Sequence, residues 1–271
     1  MNSLKYESID NLNIRSATSM GGFSETVLLL SPLPESIRAF EPIWDKLASR
    51  FNVIAIDLPG FGKSGGRKEL LAPKAMATFV RKAIDHFGGG PMHVVGPDVG
   101  SSVALFIGQE DPGRIRSAVV GSAACVYPIE SDGILTTMIM DRTNDELQKY
   151  SSRDIINGAL ANMSHYQLTD DLREDYLSSY DNGRFWDTML FLKALPHELP
   201  GLRLKDIQTP VLIIWGRTDP LAILKNGEIL HRELPNNQFH ILESGHYAWE
   251  DTAEEYGDLL VKWIEGEYLK K

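Results

Sequence analysis

Short apolar runs alternate along this chain with longer amphipathic segments, and this alternation limits the folds that the chain can adopt. Several of the runs are apolar at consecutive positions, which predicts strands that are covered on both faces. Strands that alternate with helices favour a mostly parallel central sheet flanked by helices, the α/β class. The predicted strands are Val27–Leu30, Val53–Ile56, His93–Val95, Ile115–Val120, Val211–Trp215 and Phe239–Leu242.

One long interval interrupts the alternation, because helical patterns alone occupy it from about residue 125 to residue 205. We therefore expect a core formed by residues 1–124 and 206–271, with a helical cap, or lid, inserted at residues 125–205. Near the N-terminus, Tyr6–Ile14 is predicted to be an antiparallel edge strand. The helices predicted for the core are Ala39–Arg50, Pro73–Phe87, Ser101–Glu110, Leu221–Leu234 and Ala253–Tyr268, and those predicted for the lid are Met138–Tyr150, Asp154–Ala161, Asp170–Ser179 and Phe185–Leu195.

Charge and cysteine content exclude several classes of function. The formal net charge of −10 argues against nucleic acid or an anionic membrane as a partner. The single cysteine, Cys125, excludes an internal disulfide and favours a reducing compartment. With no apolar signal core and no run long enough to span a membrane, we expect a cytoplasmic protein.

We expect neither a metal nor an organic cofactor. The seven histidines show no spacing typical of metal ligands. The glycines in Gly60-x-Gly62-x-x-Gly65 fit the dinucleotide fingerprint, but no helix pattern opens directly after them.

Asp98 is the most informative candidate for chemistry. It lies in Gly96-Pro97-Asp98-Val99-Gly100, which has the outline of a nucleophile elbow whose central residue is usually serine. An aspartate with an ordinary pKa of ~3.9 is already ionised at neutral pH. It can therefore displace a leaving group from an sp3 carbon without a base and form an ester on the enzyme. Attack on an ordinary carboxylic ester would give an anhydride, so the elbow favours alkyl-transfer chemistry.

Two further candidates, Asp219 and His246, each follow a predicted strand, as Asp98 does. The carboxyl ends of parallel strands form one rim, so these three side chains are expected to meet there. We predict that His246 activates the water that cleaves the Asp98 ester, and that Asp219 orients the imidazole. The tetrahedral oxyanion needs donors, for which we predict the amides of Val99 and of Leu33 in the loop after Val27–Leu30.

At this point the chain resembles enzymes of the α/β-hydrolase fold, in the Asp-nucleophile branch that includes epoxide hydrolases and haloalkane dehalogenases. Asp57–Ser64 resembles the D-x-x-G-x-G-x-S loop of the family, and Ser31–Ser36 resembles the H-G-x-P-E-S stretch of epoxide hydrolases. Trp215–Pro220 and Gly245-His246 resemble its acid and histidine segments. The resemblance implies hydrolysis of an epoxide to a diol, with tyrosines of the lid as acids.

Among the lid tyrosines, the resemblance favours Tyr150 as the first acid and Tyr180 as the second. The chain departs from the family where Ser31-Pro32 replaces His-Gly and where Val99 replaces a tryptophan that could bind a halide. Three alternatives therefore stay open besides the epoxide: a haloalkane or haloacid dehalogenase, a lactone or ester hydrolase with Asp98 as base, and a homologue that binds a small ligand without turnover. We expect a small, largely apolar organic substrate, and either a monomer or a homodimer.

Overall fold

The computed structural model describes residues 1, 4–131, 133–141 and 143–269, and one eight-stranded sheet runs through it. The strands are β1 (Leu4–Ile9), β2 (Leu12–Ser19), β3 (Thr26–Leu30), β4 (Asn52–Ile56), β5 (Met92–Pro97), β6 (Ile115–Gly121), β7 (Val211–Gly216) and β8 (Asn237–Leu242). Their order is β1-β2-β4-β3-β5-β6-β7-β8. Strands β3 to β8 pair in parallel, whereas β1 and β2 join the edge antiparallel. The predicted α/β architecture with a mostly parallel sheet is confirmed.

The antiparallel strand predicted at the sheet edge over Tyr6–Ile14 is confirmed in kind, but its extent is wrong, because β1 ends at Ile9 and the chain turns back as β2. Asp10 and Asn11 both have positive φ, 50° and 60°, and Ile9 pairs with Leu12 across them. A two-residue turn with positive φ at both positions matches the twist of the strands it joins. Asp and Asn adopt this conformation more readily than most residues, which is the local signal for the turn.

Ten α-helices are described, and those of the core cover the sheet. The helices are α1 (Glu41–Ala48), α2 (Pro73–His86), α3 (Val99–Glu110), α4 (Gly133–Met140), α5 (Ser152–Leu160), α6 (Asp170–Ser179), α7 (Arg184–Glu198), α8 (Lys225–Glu233), α9 (Ala248–Asp251) and α10 (Ala253–Ile264). Helix α2 packs against α3, and α1 packs against α10. Every residue of β4 and β5 is buried, which explains why both strands are mostly apolar at consecutive positions. In the described part of the chain, no helix has both the length and the apolarity needed to cross a bilayer.

Helices α4 to α7 all lie between β6 and β7. The helix predicted over Met138–Tyr150 is wrong, because α4 ends at Met140 and only a short 3-10 turn, Leu147–Lys149, follows. The carboxylate of Asp141 accepts hydrogen bonds from the amide and the hydroxyl of Thr143, both 3.0 Å long. Such a local side-chain bond competes with continuation of the helix.

A buried cluster of charges fixes α6 to the core. The guanidinium of Arg15, on β2, donates to Asp57 at 2.5 Å and to Asp175 of α6 at 2.8 Å. Ser36 donates its hydroxyl to Asp175 at 2.7 Å. Burial opposes ionisation of Asp175, but the hydrogen bond and charge of Arg15 outweigh it and lower the pKa of Asp175 to about 2. The inserted helices are therefore tied to the core through a fixed ion pair.

Candidate active site

Asp98 occupies a sharp turn between β5 and α3, with φ 51° and ψ −125°. A positive φ is rare for a non-glycine residue, and such strain is typical of functional turns. Neighbouring glycines allow the turn: a Cβ on Gly96 would lie 2.5 Å from the carbonyl oxygen of Gly100, and one on Gly121 would lie 1.7 Å from that of Ile214. The turn brings the Asp98 side chain to the lining of a cavity.

The structure brings Asp98, Asp219 and His246 together at one rim of the sheet. His246 Nδ1 lies 2.9 Å from Oδ2 and 3.1 Å from Oδ1 of Asp219. Asp219 Oδ1 also accepts the amides of Leu221 and Ala222, each at 2.9 Å, which fixes this carboxylate. His246 Nε2 lies 3.9 Å from Asp98 Oδ1. Since a proton on Nδ1 is held by Asp219, Nε2 is the nitrogen that faces Asp98.

The two predicted oxyanion donors both reach Asp98. The Leu33 amide donates to Asp98 Oδ2 at 2.8 Å, and the Val99 amide also hydrogen-bonds to this carboxylate. The two carboxylate oxygens therefore have different surroundings: Oδ2 is held by a backbone amide, whereas Oδ1 is the oxygen nearer to His246.

Burial shapes the protonation of both central groups. It raises the pKa of Asp98, and the charge of His246 and the two amides offset this only in part. For His246, burial opposes the charged form, but the negative charges of Asp219 and Asp98 outweigh it, so the pKa of His246 lies above its ordinary value. The imidazole is thus more basic while Asp98 is ionised than it would be beside a neutral group.

A cavity of about 480 Å³ opens above Asp98 and His246. This volume is typical of sites for small organic ligands. Helices α4, α5 and α7 supply half of the residues that line it, with apolar side chains that include Met138, Ile155 and Phe191. Among the described residues that line it, none is lysine or arginine. No group of three or more His, Cys, Asp or Glu side chains in the described ranges is placed to hold a metal ion.

The two tyrosines predicted as lid acids lie in different places. Tyr150 lines the cavity and is 63% exposed, which puts it at the mouth. The prediction of Tyr180 as the second acid is wrong: this residue is fully buried away from the lining, and its hydroxyl donates to the Glu35 carbonyl at 2.8 Å and accepts from the Gly62 amide. Its position at the end of α6 turns it toward the core loops instead.

The sequence prediction missed polar residues of the cavity wall. Asp154 and Asn162 line the cavity from α5 and the turn after it, with Gly158 between them. Their spacing of four places them on one face of a helix, and this periodicity is the signal that could have identified them.

This chain is similar in sequence to known hydrolases. A family model described as the alpha/beta hydrolase fold matches residues 25–152. The chain is 27% identical to the 2-hydroxy-6-oxononadienedioate/2-hydroxy-6-oxononatrienedioate hydrolase 2 of Pseudomonas putida, over 91% of this chain and 90% of that protein.

Solved structures are similar over nearly the whole chain. An esterase from Exiguobacterium antarcticum has a TM-score of 0.79 at 20% identity, covering 98% of this chain and all of that one. An epoxide hydrolase without ligand has a TM-score of 0.80 at 18% identity, covering 97% of this chain and 98% of that one.

Proposed function

We propose that this chain, which has the α/β-hydrolase fold that its sheet and these comparisons show, hydrolyses an uncharged apolar epoxide to a diol through an ester on Asp98. The observation that carries the proposal is that the two oxygens of the Asp98 carboxylate have different neighbours. Oδ2 of Asp98 is held by the Leu33 amide, whereas Oδ1 is turned toward His246.

In the first step, Asp98 Oδ1 attacks a ring carbon of the epoxide, forming a C–O bond as the ring C–O bond breaks. The oxygen of the opened ring takes a proton, for which Tyr150 at the cavity mouth is the available phenol. Asp98 needs no base for this attack, because a carboxylate is already a nucleophile. Its burial favours the step, since the buried negative charge disappears when the ester forms.

In the second step, His246 Nε2 takes a proton from water, and the hydroxide attacks Cγ of the Asp98 ester. The tetrahedral oxyanion develops on Oδ2, where the amide of Leu33 already donates, and the Val99 amide that bonds to the same carboxylate is the second donor. Collapse releases the diol, whose leaving oxygen takes the proton back from His246. Asp98 is left as a carboxylic acid that holds the second proton of the water, and loss of this proton to solvent, as the Tyr150 phenolate regains one, restores the resting enzyme. Asp219 holds the imidazole through Nδ1 and stabilises its protonated form.

Ester formation also switches His246 into its role as a base. While Asp98 is ionised, its charge helps to raise the pKa of His246. The ester carries no charge, so the pKa of His246 falls when it forms, which favours the neutral imidazole that can accept a proton from water.

The cavity favours this substrate class over two others. The names of the related Pseudomonas putida hydrolase describe dicarboxylates, yet the described lining of this cavity contains Asp98 and Asp154 and no lysine or arginine to bind them. A haloalkane needs side-chain donors for its halide. No tryptophan lines the described wall, and the side-chain amide of Asn162, which does line it, donates to the carbonyls of Gly158 and Ala159.

A single turnover in oxygen-18 water tests the proposal, with styrene oxide as the probe and enzyme in excess. We expect one labelled oxygen in the peptide that contains Asp98 and none in the diol, because water attacks Cγ. The Asp98→Ala variant, which lacks the carboxylate, should show neither turnover nor label. Label in the first-turnover diol with unlabelled Asp98 would show that water attacks the substrate directly and would overturn the covalent route.

A further inference from the structure

Two buried glutamates lie directly behind the candidate active site. Glu35 is 0% exposed and follows Leu33 by two positions in the loop that supplies an oxyanion donor. Glu250 is 2% exposed and follows His246 by four positions. The two carboxyl groups are close enough to interact directly, so they connect the loop that carries Leu33 to the segment that carries His246.

Across the described ranges, each glutamate accepts a hydrogen bond on one oxygen only, so a proton shared between the other two oxygens would complete their hydrogen bonding. Glu35 Oε1 accepts the indole N–H of Trp249 at 2.9 Å, and Glu250 Oε1 accepts the hydroxyl of Tyr176 at 2.9 Å. Both of these donors are neutral. The two Oε2 atoms find no donor on another side chain among the described residues. Two adjacent buried carboxylates would repel each other, so a proton on one of them satisfies both.

The pair is connected to the reacting groups through Trp249 and the charge of Asp98. The Trp249 ring, whose N–H is bound by Glu35, packs edge-on against the His246 ring with centroids 5.8 Å apart. Burial and the charge of Glu250 raise the pKa of Glu35 well above its ordinary value, and the charge of Asp98 adds to this. Burial likewise raises the pKa of Glu250 to about 7. The titratable groups that face the pair are Glu41, Asp98, Tyr166, Tyr176, Tyr247 and Asp251.

We propose that Glu35 and Glu250 are positioning residues that share one proton and thereby hold the Leu33 amide and the His246 imidazole in fixed positions around Asp98. Loss of that proton places two negative charges side by side in a buried space. The two loops then separate, and the oxyanion donor and the base no longer converge on Asp98. The structural part of this proposal is independent of the reaction, whereas its effect on ester hydrolysis rests on the proposed function.

Infrared difference spectroscopy tests the shared proton without any substrate. At pH 6 the wild-type protein should show the C=O stretch of a protonated carboxylic acid that disappears in both Glu35→Gln and Glu250→Gln. In each variant the amide N–H₂ donates to the remaining carboxylate and no proton is shared. Glu41→Gln is the matched control, because Glu41 acts on Glu250 only through its charge, and this variant should keep the band. A band unaffected by the first two substitutions, or absent from the wild type, would overturn the proposal.

The pH dependence of ester hydrolysis tests the positioning role. In single turnovers with styrene oxide, the wild-type rate should fall on the alkaline side, whereas Glu250→Gln should lose this decline because its hydrogen bond does not titrate. Glu250→Leu should lower kcat by roughly 10- to 100-fold, with KM falling alongside it as the ester accumulates, since a misplacement of ~1 Å can cost ~100-fold. If the pair served packing alone, the rate of Glu250→Gln would fall at the same alkaline pH as the wild-type rate. That result would refute the positioning role. If the Asp98 ester is never found, the infrared result still decides the shared proton.

Discussion

Replacement of His246 by glutamine separates the two chemical steps that we assign to Asp98. Glutamine keeps an N–H that can reach Asp219, but it cannot accept a proton from water. The first step should survive, because Asp98 is the nucleophile as a carboxylate and His246 Nε2 lies 3.9 Å from its Oδ1, too far for a direct hydrogen bond. The second step should fail, because the imidazole that takes the proton from water is gone. The variant is therefore expected to accumulate the alkyl-enzyme.

The size of this effect follows from the loss of general-base catalysis. A positioned base contributes ~10²- to 10⁴-fold to a rate. At 1.36 kcal/mol for each factor of ten, the barrier to ester hydrolysis rises by about 3–5 kcal/mol. If the two steps have similar rates in the wild type, a ~100-fold slower second step leaves about 99% of the variant as ester at steady state.

Intact-protein mass spectrometry after mixing with styrene oxide measures this population. An epoxide adduct retains every atom of the substrate, so the protein mass should rise by the full mass of the epoxide. A haloalkane would add the alkyl group alone, which distinguishes the two substrate classes. The double variant Asp98→Ala with His246→Gln is the matched control and should remain unmodified. A His246→Gln protein that stays unmodified, while the wild type turns over the same epoxide, would show that His246 is needed before the ester and would refute the assigned order.

Three further substitutions test other parts of the structure. Gly121→Ala would place a Cβ 1.7 Å from the backbone oxygen of Ile214, and we expect a loss of more than ~4 kcal/mol, seen as insoluble expression or a large fall in the urea midpoint. Asp175→Ala leaves Arg15 buried without one partner and should cost ~3–5 kcal/mol in urea unfolding, whereas an effect below ~1 kcal/mol would contradict the anchoring role. Tyr150→Phe should slow ring opening by about 100-fold and leave hydrolysis of a preformed ester unchanged, as measured by stopped-flow quenching.

The convergence of the triad could be predicted from the sequence because topology dictates it. Asp98, Asp219 and His246 each follow a parallel strand of one sheet. The carboxyl ends of such strands lie at the same edge, so the strand pattern alone places the three residues there. The same reasoning predicts that the loop after β3 supplies an oxyanion donor. These predictions needed only the strand pattern and the residue type at each strand end.

The tyrosines of the inserted helices could not be assigned in this way. Tyr180 ends α6, and its direction depends on how α6 sits on the core, which the ion pair between Arg15 and Asp175 decides. Partners in such a pair lie far apart in the chain, and no periodicity reports them. The extent of α4 was missed for a local reason, since the Asp141 side chain bonds to Thr143 where the apolar pattern alone would continue the helix.

The glutamate pair adds acidic groups around Asp98, and these groups affect which substrates the Asp98 carboxylate can react with. Asp98, Asp219 and the Glu35–Glu250 pair place several acidic groups in one buried region, in which His246 is the titratable group that can carry positive charge. In the proposed reaction, formation of the ester on Asp98 would remove one of these charges and so reduce the repulsion among the acidic groups. A neutral substrate gains from this relief, whereas an anionic one would add a charge to the same region before reacting. The electrostatics of the site and its apolar wall therefore favour the same substrate under the proposed function, an uncharged electrophile whose carbon accepts the Asp98 oxygen.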